Sequence, residues 1–178
     1  MARTITITAD DFGLSRGITD SILETVDQGP VRRVSIMANG EATEYALQEY
    51  EKRRGHLDLA LHFNLTEGKA LSSPKDIPYL VYKDGRFRHS VGSLWLSYVF
   101  ATKHIREEIR TEVQREARAQ IDCIQKSIGT NTIAINSHQH VHLLPFIADT
   151  LTLMPEVASL RRVNEPAYIA GICSITHL

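Results

Sequence analysis

Short β-branched segments alternate with amphipathic ones along this chain, and its chemistry-bearing side chains fall where the β-branched segments end. Residues 4–9, Thr-Ile-Thr-Ile-Thr-Ala, alternate strictly, which is the period of a strand. They run directly into Asp10-Asp11-Phe12-Gly13. Ser15 is then placed to N-cap a helix with Ile18, Ile22, Leu23 and Val26 on one face, ended by Gly29-Pro30. Residues 31–37 read as a second strand, Asn39-Gly40 as a turn, residues 42–54 as a helix and residues 57–63 as a third strand.

Residues 66–89 are rich in Gly, Pro, Lys and Asp and read as a long ordered loop, with a tight turn at Asp84-Gly85 between Tyr82 and Phe87. Residues 91–102 read as a helix. A longer helix over 104–127 places Ile105, Ile109, Val113, Ala117, Ile121 and Ile124 at spacings of three or four, with Glu107–Arg110 and Glu112–Arg115 as ion pairs on its wet side. A fourth strand over 132–137 delivers His138, His140 and His142. A helix over 144–153 and a fifth strand over 157–163 follow.

Strand–helix repetition of this kind makes right-handed βαβ units and a mostly parallel sheet. The chain has 178 residues, which suits a single domain over 1–178 but is short of the roughly 250 of a complete (β/α)₈ barrel. The expected fold is therefore α/β, a (β/α) barrel-like arrangement that stays incomplete. A homodimer would cover the open sheet edge that this leaves. Apolar residues at 43% and charged residues at 23% are values of a soluble globular chain. A net charge of −1 gives no field to draw in nucleic acid or an anionic membrane. Cys123 and Cys173 are the only cysteines, the N-terminus has no apolar signal-like run, and no segment approaches the ~20 apolar residues of a membrane span. Together these predict a cytoplasmic protein.

Three clusters follow predicted strands: Asp10-Asp11, His62, and His138-Gln139-His140-Val141-His142. In βα folds the carboxyl ends of strands meet at one rim. One carboxylate and two imidazoles gathered there would hold a divalent ion with positions left open, as in catalytic sites. Adjacent aspartates point in different directions, so one can bind metal while the other serves as general base. Each cluster also has a plainer reading. An Asp-Asp pair can cap a helix, a lone histidine can be a satisfied buried group, and three histidines that would share one face if extended can simply be packed or solvated. Asn39, just past the second strand, is a substrate contact or a turn residue. Arg162 and Glu165 bind substrate or pair with each other, and Trp95, Tyr98 and Phe100 form a sugar platform or a core helix. No phosphate-binding glycine loop, dinucleotide fingerprint, CxxC or nucleophile elbow is present.

The segments Ala9-Asp10-Asp11-Phe12-Gly13, Leu61-His62-Phe63-Asn64-Leu65-Thr66-Glu67-Gly68 and Ser137-His138-Gln139-His140-Val141-His142, in that order, resemble the YdjC-like family, which includes chitooligosaccharide and hopanoid-biosynthesis deacetylases. The resemblance runs over roughly 3–166. It implies a barrel-like fold and removal of an acetyl group from an N-acetylated sugar. It also implies one divalent ion, Mg²⁺ by family, whereas the nitrogen-rich ligand set suits Zn²⁺ or another transition metal. Carried over by position, Asp11, His62 and His138 would hold the metal, Asp10 would be the general base and Arg162 a substrate-side arginine. Family members continue further and supply closing strands and a late histidine as general acid. This chain stops at Leu178, so impaired activity is expected, with His140 or His142 as a substitute acid. The rival expectations are another barrel metalloenzyme acting on sugars, a phosphoesterase or isomerase, and a sugar-binding remnant without activity.

Overall fold

The computed structural model describes residues 5–162. Five strands, β1 (Ile7–Phe12), β2 (Val31–Ile36), β3 (Asp58–Phe63), β4 (Ile133–Ser137) and β5 (Val157–Leu160), form one sheet in sequential order, every neighbouring pair parallel. The helices are α1 (Arg16–Gln28), α2 (Thr43–Glu51), α3 (Val91–Val99), α4 (Lys103–Ile128) and α5 (Pro145–Thr152). An order that never reverses brings each right-handed crossover back over the same face of the sheet. This is an arc of barrel geometry, not closed among the described residues, as expected. No helix among those residues is long and apolar enough to cross a membrane.

Strand periodicity separates the two faces. Val34, Ile36, Leu61, Phe63 and Ile135 are buried and pack in the core with Ile109, Val113, Ala117, Ile121 and Ile124 of α4. Leu61 is fully buried and lies in register with Ile36 on one side and Ile135 on the other. The other face carries small and polar residues. Thr8, Ser35, Ala60, Asn136, Ser159 and Arg161 line a cavity of about 230 Å³ there.

The helix signals are read out as expected at several ends. Ser15 caps α1, its hydroxyl accepting from the Ile18 amide at 3.3 Å. The helix expected over 91–102 instead stops at Val99, and Thr102 N-caps α4. Gly85, with φ +85°, makes the tight turn between Tyr82 and Phe87. Gly40 is required where the loops after β1 and β2 touch, because a Cβ there would collide with the Gly13 carbonyl.

Several expectations are corrected. The first strand extends to Phe12, so Asp10 and Asp11 belong to its end, and Ile18 is exposed on α1 rather than on its core face. The fifth strand ends at Leu160, while Val163 and Glu165 lie outside the described residues. The histidine segment is not extended. It forms a 3₁₀ turn over His138–Leu143 in which Gln139 and His140 take left-handed φ of +51° and +54°, so its three histidines share no face. Glu112 is not on the wet side of α4 but 4% exposed, its Oε2 accepting from the Tyr79 and Leu80 amides at 2.9 and 3.2 Å, while Arg115 donates to the Asp76 carbonyl.

Glu112 is one of three buried polar residues set one turn apart on α4. Glu116 accepts from the Leu71 and Ser72 amides at 3.0 and 2.9 Å. Gln120 bonds both the amide and the carbonyl of Asn64, at 3.1 and 2.7 Å. This row fastens the long segment after β3 to the helix by its main chain. Burial pushes the Glu112 carboxyl up to about 7, against the opposing pull of its two amide donors.

Candidate metal centre

The end of β1 sets the geometry. The β1–β2 register breaks between Ala9 and Phe12, and Asp11 sits at φ +63°, a left-handed conformation uncommon for a residue with a side chain. Phe12 is fully buried and anchors the strand in the core. The break turns the two aspartates apart. Asp11 faces the ends of β3 and β4, and Asp10 faces along the open side of the sheet toward β4 and β5.

Asp11 Oδ1 lies 3.0 Å from His62 Nε2 and 2.9 Å from His138 Nδ1. The two imidazole rings stand nearly perpendicular, with centroids 5.5 Å apart. One ligand atom from each of Asp11, His62 and His138 lies within 4.8 Å of the others. His62 is 3% exposed, and burial lowers its pKa, partly offset by a hydrogen bond with Asn136. Its Nδ1 is 2.7 Å from Asn136 Oδ1, an acceptor, so the neutral ring carries its proton on Nδ1 and turns the Nε2 lone pair toward Asp11. A lone pair and a carboxylate oxygen at 3.0 Å repel unless a cation lies between them. The donor set therefore fits a divalent ion.

Asp10 stays off this cluster. Its Oδ1 accepts from Asn136 Nδ2 at 2.7 Å and its Oδ2 from Arg161 Nη1 at 2.8 Å. Glu67 closes the other side, with Oε2 2.8 Å from His138 Nε2. A carboxylate behind a ligand histidine fixes the ring and its tautomer. The Glu67 turn is itself held. Asn64 Oδ1 accepts from the Thr66 and Glu67 amides at 3.0 and 3.1 Å.

The family model of YdjC-like protein matches residues 4–171. The chain belongs to this family. Among curated relatives, it is 31% identical over 147 residues to a carbohydrate deacetylase of Oceanobacillus iheyensis, covering 83% of this chain and 58% of the relative. It is 34% identical over 154 residues to a chitooligosaccharide deacetylase of Proteus mirabilis, covering 84% and 55%. A crystal structure from Enterococcus faecalis, of a protein provisionally named for cellobiose-phosphate cleavage, superposes with a TM-score of 0.66 at 27% identity, over 83% of this chain and 54% of that one. The chain thus spans somewhat more than half the length of these relatives.

Within this YdjC-like chain, Asp10, Asp11, His62 and His138 are brought together, and the other sequence candidates are placed elsewhere. Asn39 anchors the loop: its Nδ2 donates to the Glu67 and Lys69 carbonyls at 3.1 and 2.9 Å, and its Oδ1 accepts from Asn64. His142 is buried and committed on both nitrogens, Nδ1 to Ser137 Oγ at 2.5 Å and Nε2 to the Arg161 carbonyl at 3.0 Å. His140 is exposed, its ring 6.2 Å from that of His142 and outside the metal-ligand cluster. Trp95 and Tyr98 stack with each other and with Phe146 of α5, while Phe100 is 83% exposed.

The arginine reaching Asp10 is Arg161, not Arg162. Arg161 continues the ladder, its amide donating to the Ile135 carbonyl at 2.8 Å, and its side chain emerges beside Ser159 on the polar face. The two-residue period of β5 held this signal, because Arg162 has the opposite parity. Asn136, Ser35 and Glu67 carried no assigned role in the sequence. For Asn136 the signal was again parity: it lies in register with His62 on the neighbouring strand.

Proposed function

We propose that this chain carries the catalytic centre of a metal-dependent hydrolase that removes the acetyl group from an N-acetylated sugar or short oligosaccharide. The observation that carries the reading is one carboxylate oxygen, Asp11 Oδ1, set between two imidazoles, one on β3 and one just past β4, with a second carboxylate, Asp10, beside them and off the cluster. Relatives named as carbohydrate and chitooligosaccharide deacetylases supply the substrate class.

Asp11, His62 and His138 would hold one divalent ion, Mg²⁺ by family, with two nitrogen ligands that also suit Zn²⁺. Bound there, the ion would supply Lewis acidity toward a water and the acetyl carbonyl. Asp10 acts as general base and accepts the proton of the attacking water, its two oxygens oriented by Asn136 and Arg161. Glu67 holds His138 in place from behind. His142, with both nitrogens engaged, is not the donor to the departing amine; the proton that Asp10 takes from water is the one passed to that nitrogen as the C–N bond breaks and acetate leaves.

Acetate release from a panel of N-acetylated mono- and oligosaccharides tests the proposal. Release that a chelator stops, that added Mg²⁺ or Zn²⁺ restores and that Asp10→Asn abolishes is the expected result. Phosphate release or isomerisation without acetate, or tight sugar binding without turnover, would replace it with one of the rival readings.

A further inference from the structure

Resting on that reading of the site, we propose that Asn136 is a positioning residue that serves both halves of the centre at once, fixing the tautomer of His62 and the direction of Asp10. His62 and Asn136 are register partners on β3 and β4, so their side chains leave the sheet on the same side. The Asn136 amide has one oxygen and two N–H donors, and the structure uses all three. Oδ1 meets His62 Nδ1 at 2.7 Å, while Nδ2 meets Asp10 Oδ1 at 2.7 Å and Ser35 Oγ at 2.8 Å.

The amide orientation follows from its neighbours. A carboxylate only accepts, so the Asn136 nitrogen faces Asp10 and the oxygen faces His62. That oxygen holds the imidazole proton on Nδ1 and leaves Nε2 free to act as a ligand. The same rigid group fixes one oxygen of Asp10, and Arg161 takes the other. Asn136 is 5% exposed, and its bonds to His62 and Ser35 are buried, while the bond to Asp10 is partly buried. Ligand and base are thereby tied to one side chain. A carboxylate at this position would keep the acceptor but lose the donor. A methyl group would lose both.

Those two changes separate the roles. Asn136→Asp still accepts from His62, but repels Asp10 instead of holding it. Asn136→Ala releases both. Three measurements on the whole chain decide the matter: the His62 ring tautomer by ¹⁵N-edited NMR, Mn²⁺ and Zn²⁺ affinity by calorimetry, and the kcat and KM of acetate release. We expect Asn136→Ala to lose the Nδ1–H tautomer and to bind metal roughly 10- to 100-fold more weakly. Asn136→Asp should keep the tautomer and bind metal at least as tightly as the parent, yet lose at least about tenfold in kcat with KM little changed. An Asn136→Ala variant with the parent's tautomer and metal affinity would overturn the proposal. So would an Asn136→Asp variant in which metal affinity and kcat fall together, the mark of a merely structural role. Should Asn136→Ala fail to fold, the Asn136→Asp comparison still decides. A parent chain that releases no acetate would remove the proposed function, while the tautomer and metal measurements would still decide for or against Asn136.

Discussion

Arg161 Nη1 stands 2.8 Å from Asp10 Oδ2, joining the last described strand to the first across 151 residues of sequence. Strands β1 and β5 are the two edges of the sheet, and their tips meet through this pair on its polar face. Arg161, and not its neighbour Arg162, is therefore the arginine that orients the Asp10 carboxylate.

Replacing Arg161 with alanine should lower kcat while Arg162→Ala leaves it unchanged. Both partners are partly exposed, at 45% and 33%, so solvent screening leaves about 1 kcal/mol for the pair, or roughly a fivefold loss in rate. Steady-state acetate release on the two variants checks this. Equal effects from both arginines would show that the strand parity is misread.

Metal affinity should divide the four central residues three to one. His62→Ala and His138→Ala each remove a nitrogen donor and should weaken binding at least about tenfold. Asp11→Asn tolerates the left-handed backbone at φ +63° but removes the anionic ligand, so it should fold normally and still bind poorly. Asp10→Asn should bind like the parent. Calorimetric titration with Mg²⁺ and Zn²⁺ gives the comparison. Full binding by His62→Ala and His138→Ala would move the site elsewhere.

Glu112 predicts a particular dependence of stability on pH. Its folded pKa, about 7, is above its ordinary value of 4.5, so the folded chain holds the proton more tightly than the unfolded one. The resulting stability is fully present below pH 4.5 and is lost as pH rises through 7, by at most about 3 kcal/mol. Glu112→Gln keeps an oxygen for the Tyr79 and Leu80 amides and cannot ionise. The Tm of the parent minus that of Glu112→Gln should fall between pH 4.5 and pH 7. A constant difference across that range would show that the carboxyl titrates normally.

Leu61→Ala tests the packing that sets the rim. Leu61 is fully buried between Ile36 and Ile135, and truncation there should cost about 2–5 kcal/mol, read by chemical denaturation. A cost below about 1 kcal/mol would mean that the sheet–helix interface is loose at this point.

The sequence made the parallel sheet legible because residues such as Val34, Ile36, Leu61 and Ile135 keep a period of two, while α4 keeps its apolar stripe from Ile109 to Ile124. Asp11, His62 and His138 were legible because they close three strands. What stayed hidden depended on contacts far apart in the chain. Glu112, Glu116 and Gln120 look like solvated helix residues until the segment after β3 is laid across them. Asn39 looks like a turn or substrate residue until the Glu67 loop closes on it. The left-handed backbone at Gln139 and His140 has no glycine to announce it, so an extended triplet of histidines was the natural expectation.

The row of Glu112, Glu116 and Gln120 grips its segment by peptide groups alone, at Asn64, Leu71, Ser72, Tyr79 and Leu80. Attachment of that kind is indifferent to most of what the segment displays. The bonds at Leu71 and Ser72 use main-chain N–H groups and so do not depend on the side chains there, whereas proline, which brings no N–H, would break them. The stretch that follows Glu67 is thus fixed in its path by its main chain rather than by its surface side chains.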